Sequence, residues 1–170
     1  MRIGLAGAGG VGKGTLGLAL SQLLHIPFIP SHIKNTGVDI GFTEGYNQPK
    51  TTAEQNAFQH AIMFGQTYQE RALQIANESY IAERTTLDYI PYYLGRDFGE
   101  LPSENYLKKA RDWAKENYDV IIFVPLEFEP KDLDVNGWKE REPIEQKRTN
   151  DIIYQEISKL PHTIPVLVVT

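Results

Sequence analysis

Nine residues near the start of the chain narrow the choice of fold more than any others. Gly7-Ala8-Gly9-Gly10-Val11-Gly12-Lys13-Gly14-Thr15 follows the apolar segment Arg2-Ile3-Gly4-Leu5-Ala6 and precedes a leucine-rich stretch running to His25. The spacing predicts strand, Gly-rich turn and helix in succession. In such a turn consecutive backbone N–H groups curl around an anion, and the helix N-terminus adds its partial positive charge. Lys13 is placed to reach the β- and γ-phosphates of a nucleotide. At ordinary abundances, Gly-x-x-x-x-Gly-Lys arises by chance about 0.05 times in a chain of this length, and the extra glycine at position 10 lowers that to roughly 0.004. The bland alternative is a Gly-rich turn without a ligand. Binding of a nucleoside triphosphate is the expectation.

Beyond this loop, apolar runs and helical patterns alternate, as they do in a parallel α/β sheet. Strands are expected at Arg2–Ala6, around Phe28–Ile29, and at Tyr80–Glu83, Asp119–Val124 and Ile164–Val169. The unbroken apolar runs 120–124 and 166–169 imply strands covered on both faces. Helices are expected at Leu16–Leu24, with Leu16, Leu20, Leu23 and Leu24 turned inward, and at Thr52–Glu78, only roughly periodic. Three more are expected at Asp88–Leu94, at Ser103–Tyr118 with Ser103 as N-cap, and at Pro143–Leu160 with proline in the first turn. Residues 30–50 and 125–142 read as loops at the carboxyl ends of strands, where ligands bind in such sheets. The expected architecture is one three-layer α/β domain over residues 1–170, a parallel sheet of about five strands between helices.

Composition excludes several classes. The 41% hydrophobic and 23% charged residues are those of a globular protein with a proper core. No apolar run approaches the roughly 18 residues of a membrane span, and no export signal is legible. The absence of cysteine removes disulfides and thiolate metal sites and fits a cytoplasmic setting. A net charge of −5 disfavours broad capture of nucleic acid, though a local basic groove stays open. The four histidines show no metal-ligand spacing.

The loop has Gly14, not Ser or Thr, directly after Lys13, with Thr15 next. Gly-Lys-Gly-Thr resembles the phosphate loop of adenylate kinases, which would make Thr15 the hydroxyl nearest a magnesium ion. The guanine-reading Asn-Lys-x-Asp and the strand-terminal Asp-Glu of motor ATPases are missing. A second constellation, Tyr80-Ile81-Ala82-Glu83-Arg84-Thr85-Thr86-Leu87-Asp88-Tyr89, runs a strand into an acid–base pair and a short helix. It resembles the Glu-Arg-Ser element of deoxynucleoside kinases and the Asp-Arg element of thymidylate kinases. It is most similar to the Asp-Arg-Ser…Asp…Tyr element of nicotinamide riboside kinase-like and bacteriophage deoxynucleotide kinase-like proteins. The resemblance implies a P-loop nucleoside or nucleotide kinase of bacterial or bacteriophage origin, using ATP and Mg²⁺. Carried over by position, Gly7, Gly9, Gly10, Val11, Gly12, Lys13, Gly14 and Thr15 hold the donor. Thr15 and Glu83 serve the metal, Arg84 clamps the phosphoryl group in flight, and Asp88 orients Arg84 or touches substrate.

A third constellation, Asn136-Gly137-Trp138-Lys139-Glu140-Arg141-Glu142 followed by Lys147 and Arg148, stands where the family has a lid, here about 126–148. Lys139 takes the place of the usual arginine, so Arg141 or Arg148 is left to supply a guanidinium fork; a solvated charged turn is the competing reading. Related kinases acting on hydroxyls often carry an acid after the second strand. Here the stretch is Ile29-Pro30-Ser31-His32-Ile33-Lys34. A monophosphate acceptor is already an anionic nucleophile and needs positioning more than a base. Lys34 is the candidate to hold that anion, with Phe58 and Gln66 to stack on and hydrogen-bond a base. Phosphoryl transfer to a (deoxy)nucleoside monophosphate is therefore expected, by a monomer or homodimer. A kinase acting on a hydroxyl (of a nucleoside, ribosylnicotinamide or a hydroxymethylated base in DNA) and a non-catalytic nucleotide-binding regulator are the alternatives.

Overall fold

The computed structural model describes residues 1–31, 33, 51–95, 103–127 and 143–169. Five strands, β1 (Arg2–Ala6), β2 (Phe28–Ile29), β3 (Tyr80–Ala82), β4 (Val120–Phe123) and β5 (Val166–Val168), form one parallel sheet in the order β2-β3-β1-β4-β5. Helices among the described residues include α1 (Lys13–Leu24), α2 (Thr52–Ile75), α3 (Ile90–Leu94), α4 (Glu104–Asn117) and α5 (Pro143–Ser158), with a 3₁₀ turn at Thr86–Tyr89.

Alternation along the strands sorts the side chains into two layers. Ile3, Leu5, Ile81, Val120 and Ile122 meet Leu16 and Leu20 of α1 on one face. Ala6, Tyr80, Ala82, Ile121 and Phe123 meet the 3₁₀ turn and the other helices on the opposite face. This is the three-layer α/β arrangement that the sequence predicts.

Several boundaries and faces differ from expectation, each for a local reason. Helix α1 begins at Lys13, three residues early, because Gly12 in a left-handed conformation caps it and its oxygen accepts from Leu16 N at 3.0 Å. It approaches the sheet through Gly17, where a Cβ would lie 2.2 Å from the Phe28 ring. Leu23 and Leu24, expected inward, are 73% and 39% exposed at the far end of the helix. Helix α2 stops at Ile75 because Asn77, at φ 58, turns the chain. Glu78 N donates to Leu73 O at 2.8 Å and Asn77 N to Gln74 O at 2.9 Å, the paired bonds of a Schellman C-cap. Ser103 precedes α4 as expected but caps it only through its backbone oxygen, which accepts from Tyr106 N at 3.0 Å. Strand β5 is exposed along its length where cover on both faces was expected. Among the described residues it pairs only with β4, at the end of the strand order.

Candidate active site

The Gly-rich loop leaves the end of β1 under tight constraint. Gly7 has φ +147, and a Cβ there would lie 2.4 Å from the backbone oxygen of Val124, so only glycine fits. Its N–H donates to Asp88 Oδ1 at 2.8 Å. Lys13, 4% exposed, turns back over the loop and donates from Nζ to Gly7 O at 2.6 Å and Ala8 O at 2.7 Å. Burial lowers its pKa to about 8; neighbouring Arg84 adds to the effect, while Asp88 and Glu83 oppose it. Lys13, Gly14 and Thr15 form the first turn of α1, so their N–H groups lack partners within the helix and stand ready for an anion. Thr15 is exposed there.

The end of β3 brings the acid–base pair to the same place. Glu83 lies against Gly14: a Cβ on Gly14 would sit 3.2 Å from Glu83 Oε1. The other carboxylate oxygen accepts from Ser31 N at 2.7 Å, tying the end of β2 to the end of β3. Arg84 donates from Nε to Ser31 Oγ at 3.1 Å and stands 5.9 Å from the centre of the Tyr92 ring. Its Nη1 is buried with no hydrogen-bond partner among the described residues. A buried guanidinium nitrogen without an acceptor is costly unless an anion arrives to take it. This nitrogen fits a phosphate group, and the Glu83 carboxylate and Thr15 hydroxyl are oxygen donors of the kind a magnesium ion would take. Among the described residues no cluster of three or more His, Asp or Glu side chains forms a self-sufficient metal site.

Asp88 stands behind the loop. Fully buried, it accepts from Gly7 N on one oxygen and from Thr85 N at 2.7 Å and Thr85 Oγ1 at 2.8 Å on the other. Burial pushes its carboxyl above the usual value, against the pull of Lys13 and Arg84. Its place is that of a brace for the loop; substrate contact, one of its two expected roles, is closed off by burial.

Phe58 and Gln66, expected to meet a base, are instead core groups of α2, 7% and 3% exposed. Phe58 packs in the main apolar cluster. Gln66 donates to Glu70 Oε1 at 2.8 Å and to the backbone oxygen of Arg84, and accepts from Tyr89 Oη. Glu70, also fully buried, accepts from Tyr118 Oη at 2.8 Å and Trp113 Nε1 at 2.6 Å. Burial raises its carboxyl pKa, an effect that these donors oppose. This polar network underlies the backbone of Arg84.

Arg148 lies on the exposed side of α5, while Gln146, two residues earlier, is the residue of that helix that reaches the loop. The helical repeat puts positions two apart on nearly opposite sides. Lys34, Lys139 and Arg141 lie outside the described residues, as does most of the expected lid; residues 143–148, counted with both the lid and the helix expected at Pro143–Leu160, are helix. Sequence reasoning missed Tyr92 and Gln146. Tyr92 stood four residues after Asp88, a spacing that offered a signal. Gln146 is 137 positions from Gly9, and nothing local marks it.

The AAA domain family matches residues 2–170. The chain belongs to that family. No curated protein matches this AAA-family chain. Among solved structures, deoxyadenosine kinase from M. mycoides with bound dATP aligns with 100% of this chain and 90% of its own, at 16% identity and a TM-score of 0.66. Thymidylate kinase from Candida albicans aligns over 98% of this chain and 82% of its own, at 16% identity and a TM-score of 0.62. Shikimate kinase from Aquifex aeolicus covers 98% and 86%, at 19% identity and a TM-score of 0.52. The AAA-family chain thus has the fold of the P-loop nucleoside and nucleotide kinase superfamily. No helix among its described residues is long and apolar enough to cross a membrane.

Proposed function

We propose that this chain is an ATP- and Mg²⁺-dependent kinase transferring the γ-phosphoryl group to a (deoxy)nucleoside monophosphate. The observation that carries the reading is Arg84 Nη1, a buried cation with an open donor, converging with Lys13 and the loop on one end of the sheet. In transfer, the bond from Pγ to the β–γ bridging oxygen breaks and its electron pair leaves with ADP. A phosphate oxygen of the acceptor forms the new bond to Pγ, giving the diphosphate. That oxygen is already anionic, so no proton need be removed. The backbone donors of residues 10–15 and Lys13 hold the donor phosphates, and Arg84 neutralises charge on the migrating group. Glu83 and Thr15 would hold Mg²⁺, which would supply positive charge to offset the negative charge developing on the leaving oxygen. Ser31, at the end of β2, supports a phosphate acceptor: its hydroxyl accepts from Arg84 and no carboxylate follows it in that stretch.

Transfer to a hydroxyl is the second reading, favoured by the Glu83 carboxylate at the loop and by the deoxyadenosine kinase among the structural neighbours. A product-resolved assay with ATP, Mg²⁺ and separate panels of nucleoside monophosphates, nucleosides and hydroxymethylated DNA decides between them. A nucleoside diphosphate is the expected product. A phosphorylated hydroxyl selects the second reading, and no transfer to any acceptor removes both. Lys13→Ala is expected to lower turnover by about 10²-fold or more while the protein stays folded by circular dichroism.

A further inference from the structure

One peptide of the loop lies between two glycines. Gly10 has φ +83, and the Gly9–Gly10 unit lacks the side chains that would resist rotation. The peptide is planar and trans, so its C=O and N–H point in opposite directions, and a flip exchanges them. Gln146 of α5 is what touches this unit. Its Nε2 donates to Gly9 O at 2.5 Å and lies 3.5 Å from where a Gly10 Cβ would be. The residue is 4% exposed, and its Oε1 is buried with no partner among the described residues. The amide cannot be reversed, since Oε1 would then face the Gly9 oxygen, acceptor against acceptor. The side chain therefore holds Gly9 at the expense of its own acceptor. Among the described residues no backbone acceptor takes the Gly10 N–H.

We infer that Gln146 is a positioning residue of the donor site: by fixing the Gly9 oxygen toward α5, it points the Gly10 N–H into the loop, toward a phosphate oxygen. The inference rests on the reading of Gly7–Thr15 as the donor cradle. It assigns a working part to a helix that comes from the other end of the sequence.

Gln146→Met and Gln146→Glu test it, with ADP–Mg²⁺ binding measured by calorimetry and the Gly10 amide followed by NMR. Met keeps the volume without a donor. Glu sets a second acceptor against Gly9 O and favours the flipped peptide, whose carbonyl would meet the phosphate. ADP affinity is expected to fall about tenfold in Gln146→Met and further in Gln146→Glu. The ADP-induced shift of the Gly10 amide should be present in the wild type and lost in Gln146→Glu, with amides of β1 and β4 unchanged. Equal affinity in all three proteins, or a Gly10 shift preserved in Gln146→Glu, overturns the inference. A wild type that binds no ADP overturns the donor-cradle reading beneath it; binding that ignores Gln146 overturns only the positioning role.

Discussion

Lys13 is a buried cation whose partners are carbonyl oxygens, and that gives it a pH signature. Its pKa is about 8 in the folded chain against 10.5 for an ordinary lysine. Between those values the unfolded chain binds more protons than the folded one, so the ligand-free protein gains stability as pH rises through the window, by at most about 3 kcal/mol. Donor phosphates favour the charged amine. ADP binding at about pH 9 should therefore take up a proton, and affinity should fall toward tenfold per unit above about pH 8. Calorimetry in buffers of different ionisation enthalpy reads both; a flat profile would show that Lys13 does not engage the ligand. Gly14 gives a second prediction. Restoring the commoner loop with Gly14→Ser brings a Cβ to 3.2 Å from Glu83 Oε1. The carboxylate must give way and loosen its bond to Ser31 N. Turnover is expected to fall about tenfold or more with melting temperature nearly unchanged, since misplacement rather than unfolding is the consequence. The loop, Glu83 and Arg84 were legible in the sequence because each sits in a short local pattern. Phe58 and Gln66 were misread because a helix repeat identifies a face without saying what covers it.

Helix α2 shows why its expected pattern was only rough. Its inward face carries Phe58, Gln59, Ile62, Met63, Gln66 and Glu70, so half the buried positions are polar and an apolar count underrates the repeat. Glu70 is satisfied by groups from β3, α4 and the segment after α4, since Tyr80, Trp113 and Tyr118 all donate to it, and Gln66 meets Tyr89 of the 3₁₀ turn and the Arg84 oxygen. Glu70→Ala would take the acceptor from Tyr118 Oη and Trp113 Nε1, while Tyr80 Oη keeps Asn117 O at 3.2 Å, and is expected to cost about 3 kcal/mol, measured by urea unfolding. Glu70→Gln, which keeps one acceptor oxygen, should cost clearly less. If both variants unfold at the wild-type midpoint, the network contributes nothing to stability.

At the scale of the whole molecule, a buried carboxylate bridges α4 and α5, which also share the main apolar cluster. Glu156, 5% exposed, accepts from Arg111 Nε at 2.8 Å and Nη2 at 3.1 Å, and from Lys159 at 2.6 Å. Arg111→Ala removes the fork and leaves Glu156 with one solvent-facing lysine. The expected cost is about 2 kcal/mol, read as a lower urea midpoint; Arg111→Lys should recover only part of it, because lysine lacks the bidentate geometry. By itself the sequence determined the strand–loop–helix unit, the parallel α/β class and the acid–base pair after β3, because backbone sterics, side-chain alternation and glycine conformation act over a few residues. Only the tertiary structure decided that Asp88 braces the loop from behind, that α2 presents a hydrogen-bonded polar core rather than a base-reading surface, and that Gln146 rather than Arg148 reaches Gly9. Those outcomes depend on which buried donor meets which buried acceptor across tens of residues, and no local repeat encodes that pairing.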